Sequence, residues 1–344
     1  MARILIIRFS AIGDVAMTIP VIYSVARRYP QHEFVVLSRD RLGSFFTNLP
    51  PNVKFFGVDL LQYAGWKGLN RLYRELKGMK FDFVADLHHV LRSRYLSLRF
   101  RCNGVRVVHL DKGRKEKKKL VRRKNKVMKP LNSSFERYTE VFEKLGMPVI
   151  PDFISVYGSD RGDLDSIVSL TGPKEENIWI GMAPFARHAN KIYPLEYQED
   201  IVVCLTQDPR VRIFLFGGGK EEQLVFEQWM EKYPRLVWYG RKLDMEQELI
   251  LMSHLDVMFS MDSANMHLAS LVATPVVSVW GATHPYAGFM GWGQSVKCAV
   301  QLELECRPCS VYGNKPCYRG DFACMSQLPV DKVIECIRFV ISDR

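Results

Sequence analysis

Residues 3–29 read RILIIRF, then SAIGD, then VAMTIPVIYSVARRY, and the fold is decided there. The first piece, Arg3–Phe9, is a short apolar, β-rich run that predicts a buried strand. Ser10-Ala11-Ile12-Gly13-Asp14 breaks it. From Val15 to Tyr29, apolar residues recur at helical spacing (Val15, Ile19, Ile22, Val25, Ala26), and Pro30 closes the helix. Working outward, strands are expected at Phe34–Ser38, Val53–Val58 and Phe83–Leu87, with a helix at Leu69–Gly78 between the last two. Strands alternating with helices imply parallel βαβ units.

A second alternation follows a polar stretch, residues 158–177. Strands are expected at Ile178–Ala183, Val211–Phe216, Leu236–Tyr239, Val257–Met261 and Pro275–Trp280. Helices are expected at Leu195–Thr206, Glu221–Lys232, Met245–Ser253, Ser263–Leu271 and, at the end, Val330–Ser342. The prediction is two doubly wound α/β domains, residues 1–160 and 161–328. A terminal helix in 329–344 would pack back on the first. Such sheets bind ligands beyond the C-terminal ends of their strands, so a pair of them facing one another suits an enzyme that joins two substrates.

The composition is that of an ordinary soluble protein: 344 residues, 47% hydrophobic and 25% charged, which excludes disorder and collagen-like repeats. No apolar run approaches the roughly 20 residues of a membrane span. Only four apolar residues separate Arg3 from Arg8, too few for a signal peptide. A cytoplasmic protein is expected, whose eight cysteines are thiols or metal ligands rather than disulfides. The net charge is +11, and the stretch Lys112 to Lys129 alone holds eleven Lys/Arg and one acid. Such a field attracts phosphates, of nucleic acid, anionic lipid or a phosphorylated glycolipid; a solvated loop is its commoner fate.

Four strand-end segments carry chemistry. The first turn lacks G-x-G-x-x-G and instead places the carboxylate of Asp14 at a helix start, as a cap or as a base. The segment Asp262-Ser263-Ala264-Asn265-Met266-His267 opens a helix after a strand, where unpaired backbone N–H groups receive phosphate, unless Asp262 and Ser263 merely cap it and His267 is packed in the core. Lys191 follows the second domain's first strand, either as a site cation or as a solvated charge. Gly217-Gly218-Gly219 turns into Glu221 and Glu222, which are sugar-hydroxyl ligands or first-turn helix acids. Outside these, Cys306, Cys309, Cys317 and Cys324 form a C-x2-C-x7-C-x6-C cluster, a structural zinc candidate or a packed cysteine-rich loop.

Jointly, S-x-I-G-D at Ser10–Asp14, K-x-x-P at Lys191–Pro194, G-G-G-x-E-E at Gly217–Glu222, D-S-x-x-M-H-L-A at Asp262–Ala269 and T-P-V-V-x-x-W-G-x-T-x-P at Thr274–Pro285 resemble glycosyltransferase family 9, the ADP-heptose:lipopolysaccharide heptosyltransferases. The resemblance implies a GT-B fold, with an acceptor-binding and a donor-binding Rossmann-like domain. It implies inverting transfer without a metal or other cofactor, from an ADP-sugar to a lipopolysaccharide inner-core or related anionic glycolipid at the inner face of the cytoplasmic membrane. Asp14 would be the general base, and Ser10 and Gly13 would shape its turn. Lys191 and the amides of Ser263, Ala264 and Asn265 would bind the diphosphate, and Glu222 or Glu221 the ribose. Asp262 and His267 would shape the donor pocket. His88 and Arg92 match the family's acceptor-side D-x-H-x-x-x-R-S segment, and Ala264 stands where relatives commonly carry glycine. Two other classes compete: a nucleic-acid binder using the basic tract, which lacks interleaved aromatics, and a nicotinamide-dependent oxidoreductase, which the missing glycine fingerprint weakens.

Overall fold

The computed structural model describes residues 1–343, apart from the side chain of Arg241. In chain order the first elements are β1 (Arg3–Ile7), α1 (Ile12–Ala16), α2 (Ile19–Arg28), β2 (Glu33–Arg39), β3 (Val53–Val58), α3 (Gly65–Gly78), β4 (Phe83–Asp86), α4 (Leu91–Arg101) and β5 (Arg106–His109). They are followed by α5 (Arg114–Leu120) and α6 (Ser134–Lys144). The helix expected over residues 15–29 is two helices. Pro20, near the start of α2, has no N–H to give to the helix behind it, and the Thr18 hydroxyl caps the break by donating to the Val15 carbonyl at 2.7 Å. The five strands form one parallel sheet in the order β3-β2-β1-β4-β5. Leu5, Ile7, Val35, Leu37 and Val84 from its strands pack with Leu72, Leu76, Leu96 and Phe100 of α3 and α4.

The later elements are α7 (Val168–Thr171), β6 (Ile178–Ala183), α8 (Leu195–Leu205), β7 (Val211–Leu215), α9 (Lys220–Lys232), β8 (Leu236–Val237) and α10 (Met245–Ser253). After these come β9 (Val257–Met261), α11 (Ala264–Leu271), β10 (Val276–Val279), β11 (Ala299–Val300), α12 (Ala323–Ser326) and α13 (Val330–Ser342). Their sheet runs β11-β10-β9-β6-β7-β8, again parallel throughout.

In each sheet the first strand in sequence lies inside, and strand order reverses beside it: between β1 and β4 in one, between β6 and β9 in the other. Loops that leave neighbouring strands in opposite directions part there, which opens a ligand site. Register puts Ile7 opposite Asp86 and Ala183 opposite Ser260. The segments after β1 and β4 therefore start level, and those after β6 and β9 start within one residue of each other.

Two compact units divide the chain, but not at a single point. The first comprises Met1–Lys112 and Asn132–Gly158; the second comprises Gly113–Leu131 and Ser159–Arg344. Unlike the contiguous 1–160 domain expected from the sequence, the first unit gives up nearly all of the basic tract to the second. The terminal helix also differs from expectation. Val333, Ile334, Ile337 and Val340 of α13 bury themselves in the second unit's own core, with Val277, Val279 and Phe259.

Candidate active site

Directly after β1, Arg8 turns inward. Its side chain is 7% exposed and lies 2.8 Å from the carboxylate of Asp14, which is 37% exposed. The guanidinium also donates to the Leu87 carbonyl at the end of the neighbouring strand and stands 5.9 Å from the Tyr138 ring centre. Burial works against its charge, but Tyr138, Asp14 and Asp86 outweigh that and hold Arg8 above the ordinary arginine range. Asp14 is the third residue of α1, and its second oxygen accepts the Ala11 N–H at 3.2 Å. It is thus both a helix-start acceptor and the exposed half of an ion pair. Gly13 precedes it in the same turn.

The loop after β4 completes this wall. Asp86, fully buried, accepts the backbone N–H groups of His88 (3.0 Å) and His89 (2.7 Å) and the Ser97 hydroxyl (3.2 Å). That fixes His88, whose Nδ1 accepts the Phe9 N–H and whose Nε2 faces the Ser10 hydroxyl, each at 3.4 Å. Burial, then the charges of Arg8 and Lys112, push the His88 pKa down to about 3. The ring is neutral and far too weak a base to compete for a proton at neutral pH. Ser10, Asp14 and His88 are therefore gathered in one place. Arg92 lies in the first turn of α4, half-buried.

In the second unit the segment after β6 ends in a short 3-10 turn, Ala189–Lys191. Lys191 pairs with Asp262, the residue after β9, at 2.9 Å; the side chains are 15% and 6% exposed. Ser263 is extended (φ −140°, ψ −178°). It contacts the Ser260 hydroxyl at 3.1 Å and makes no side-chain cap, so the N–H groups that open α11 are not closed off by it. Ala264 begins the helix without positive φ, so alanine is unstrained there. Asn265 follows half-buried, and His267 is buried along the helix.

Gly313 (φ +76°) lies against Lys191. A Cβ there would stand 2.5 Å from the lysine stem, and Asn190 donates to the Gly313 carbonyl at 3.2 Å. Sequence reasoning missed both Gly313 and Arg8. Glycine in a polar loop and arginine at a strand end carry no local signal. After β7, which flanks β6, the triple-glycine turn is tied rather than loose. The Glu222 carboxylate accepts the Gly218 and Gly219 N–H groups at 2.7 and 3.1 Å, and any side chain at Gly217 would collide with it. Glu221, beside it, is exposed.

The basic tract is a strap on the second unit rather than a solvated loop. Lys117 is buried with its ammonium 4.2 Å from the Phe289 ring centre, and Arg123 covers Tyr318 at the same distance. Lys126 donates to the carbonyls of Glu305 (2.9 Å) and Arg307 (2.7 Å). Lys112 is half-buried, and Arg114, Lys115, Lys118, Lys119, Arg122, Lys124 and Lys129 stay exposed. Arg122, Arg123, Lys315 and Tyr318 line a cavity of about 330 Å³ together with Cys306 and Cys309.

For the four-cysteine cluster the structure supplies no zinc ligand set. Among the described residues, no group of three or more His, Cys, Asp or Glu is placed to hold a metal ion. All eight cysteines are free. Burial pushes the Cys324 thiol up to about 11 and raises that of Cys309. Arg307 organises the loop instead. Only 3% exposed, it donates to the carbonyls of Trp280, Gly281, Leu302 and Thr283 and to the Gln301 side chain.

The family model of glycosyltransferase family 9 (heptosyltransferase) matches residues 69–317. Over 289 residues, 81% of this chain and 79% of the relative, the sequence is 23% identical to the lipopolysaccharide core heptosyltransferase OpsX of Haemophilus influenzae. A family 9 glycosyl transferase from Veillonella parvula superimposes with a TM-score of 0.75 at 17% identity, covering 100% of this chain and 98% of that one. The E. coli ADP-heptose lipopolysaccharide heptosyltransferase II gives 0.72 at 16% identity, with 99% of each chain covered. Two parallel sheets of the GT-B kind are common to all three structures.

Proposed function

Because the chain belongs to glycosyltransferase family 9, the heptosyltransferases, we propose that it moves a heptose or similar sugar, with inversion, from an ADP-sugar to an inner-core lipopolysaccharide or related anionic glycolipid. The family assignment displaces the nucleic-acid and nicotinamide readings. The observation that carries the proposal is the opposite polarity of the two switch-point ion pairs. Arg8–Asp14 turns its carboxylate outward, and Lys191–Asp262 keeps its carboxylate the deeper of the two.

Inverting transfer needs a base at the acceptor hydroxyl and positive charge at the departing diphosphate. In this reading Asp14 takes the proton, with Ser10 and Gly13 shaping the turn and neutral His88 orienting Ser10. Lys191 and the amides of Ala264 and Asn265 receive the diphosphate beside Ser263. Asp262 holds Lys191 in place, and His267 packs behind the pocket. Glu222 shapes the turn at the ribose, next to Glu221. Arg92 and the exposed cations of the tract, with the cavity at Arg122, Arg123 and Lys315, answer the acceptor's phosphates. Among the described residues no helix is long and apolar enough to cross a membrane; the enzyme would work from the cytoplasm, peripheral to the inner membrane. A screen of ADP-sugars against an extracted core acceptor, read by mass spectrometry, tests this. A sugar-sized mass gain on the acceptor supports it; no transfer from any ADP-sugar defeats it.

A further inference from the structure

Helix α4 carries four arginines and no acid. With α3 it lies in a stretch, residues 65–101, that holds nine Lys/Arg against three Asp/Glu. This second concentration of charge is hidden in the whole-chain total by acids elsewhere. The buried face of α4 is Ser93, Leu96, Ser97 and Phe100. The opposite face presents Leu91, 72% exposed, and Leu98, 57% exposed, with exposed Arg94 and Arg101 between and beyond them. Steps of three, four and three residues place all four on a single stripe. Trp66 of α3, also exposed, stands beside the stripe with its ring 5.1 Å from Tyr95. These six side chains surround a cavity of about 370 Å³, closed by the stacked rings of His89 and His109. Arg99 ties the two helices together by donating to Asn70 and lying over the Tyr73 ring.

Leucines and a tryptophan kept in water around a cavity mark an interaction surface. Arginines at every gap between them narrow the partner. An anionic bilayer surface takes the apolar groups into the boundary between headgroups and acyl chains. Arginine stems lie along that boundary while their guanidinium groups reach lipid phosphates, and tryptophan favours the same depth. We propose that the α3–α4 face, through Trp66, Leu91, Arg94, Leu98 and Arg101, docks the protein on an anionic phospholipid bilayer. This rests on the membrane-peripheral reading above and specifies the surface that reading lacked.

The test is flotation of the full chain with vesicles, in the absence of donor and acceptor. Phosphatidylcholine vesicles are compared with vesicles containing about a third phosphatidylglycerol, a surface potential that basic residues sense. Wild type should float with the anionic vesicles and not with the neutral ones. Leu91→Ser with Leu98→Ser, and separately Arg94→Gln with Arg101→Gln, should each lower partitioning roughly tenfold or more. Both double variants should transfer sugar to a soluble, deacylated acceptor as wild type does, which shows that they fold and separates this proposal from the catalytic one. Wild type that transfers sugar but never floats overturns the docking face and leaves the transferase reading standing. Flotation without transfer by any chain does the reverse. Double variants that float like wild type overturn the proposal. So does a loss of self-association on gel filtration with flotation unchanged, which would assign the face to a second copy of the chain.

Discussion

The turns at the two switch points are built alike and face in opposite senses. Each sets a cation against a carboxylate beside an inner strand, Arg8 with Asp14 at 2.8 Å and Lys191 with Asp262 at 2.9 Å. In the first unit the cation is deep and the acid reaches outward. In the second the acid is nearly sealed and the lysine, though well covered, is the less buried partner. A buried charge needs its partner close, and in each pair the deeper group holds the shallower one in place. What the comparison teaches is that the same kind of ion pair, set at equivalent strand ends, presents its acid in one unit and covers it in the other.

The largest expected effect comes from removing the outward acid. Asn caps a helix about as well as Asp, so Asp14→Asn should fold and bind an ADP-sugar almost as wild type. As general-base catalysis contributes 10²–10⁴-fold, transfer should slow by about a hundredfold or more, in kcat. A kcat within about threefold of wild type, with both substrates saturating, would return Asp14 to the status of a helix cap.

Next is the cation of the second pair. Lys191→Ala should weaken ADP binding by at least about tenfold, since a charge-assisted contact is worth roughly 1.5–3 kcal/mol. It should also lower the melting temperature by leaving Asp262 buried without its partner. Calorimetry that finds unchanged ADP affinity in a folded variant takes Lys191 out of the donor site and breaks the comparison on that side.

The comparison sharpens at Arg8. The Arg8 guanidinium lies 2.8 Å from the Asp14 carboxylate and fixes its position. A charge-assisted contact is worth roughly 1.5–3 kcal/mol, so Arg8→Gln should lower kcat/KM by about tenfold or more, while Arg8→Lys should largely restore it. An unchanged kcat/KM in a folded Arg8→Gln variant would mean that Arg8 supports the turn without positioning Asp14.

The smallest effect is on stability. The pKa of His88 is about 3 in the folded protein, against about 6.5 in an unfolded chain. Between those values the unfolded chain binds a proton that the folded one refuses. Stability from this residue is therefore intact above about 6.5 and is lost as pH falls below it, by up to about 1.4 kcal/mol per pH unit. His88→Asn should flatten that slope in urea titrations at successive pH values. A slope as steep as wild type would show that another group titrates there.

Much of this was legible one strand at a time. Ile178–Ala183, Val257–Met261 and Val330–Ser342 match their predicted bounds because apolar periodicity is a local signal. Helix α4 was invisible for the same reason. Four arginines interrupt it, and Leu91 and Leu98 lie on its exposed side, so apolar spacing along residues 91–101 does not trace the buried face. The basic tract carries its charge openly in the sequence but not its location. Its contacts to Phe289, Tyr318, Glu305 and Arg307 lie far away along the chain.

The sequence by itself determined the two alternations of strand and helix, the break after each inner strand, and the presence of Asp14, Lys191 and Asp262 at those breaks. Backbone preference and side-chain period act over a few residues, which is the range a chain shows in linear form. Only the tertiary structure decided which member of each ion pair is covered, that Glu222 closes its own glycine turn, and that Gly313 presses on Lys191. The same holds for the strap on the second unit and for the leucines left exposed on α4. Each of these depends on burial, and burial is set by residues that meet only when the sheets form.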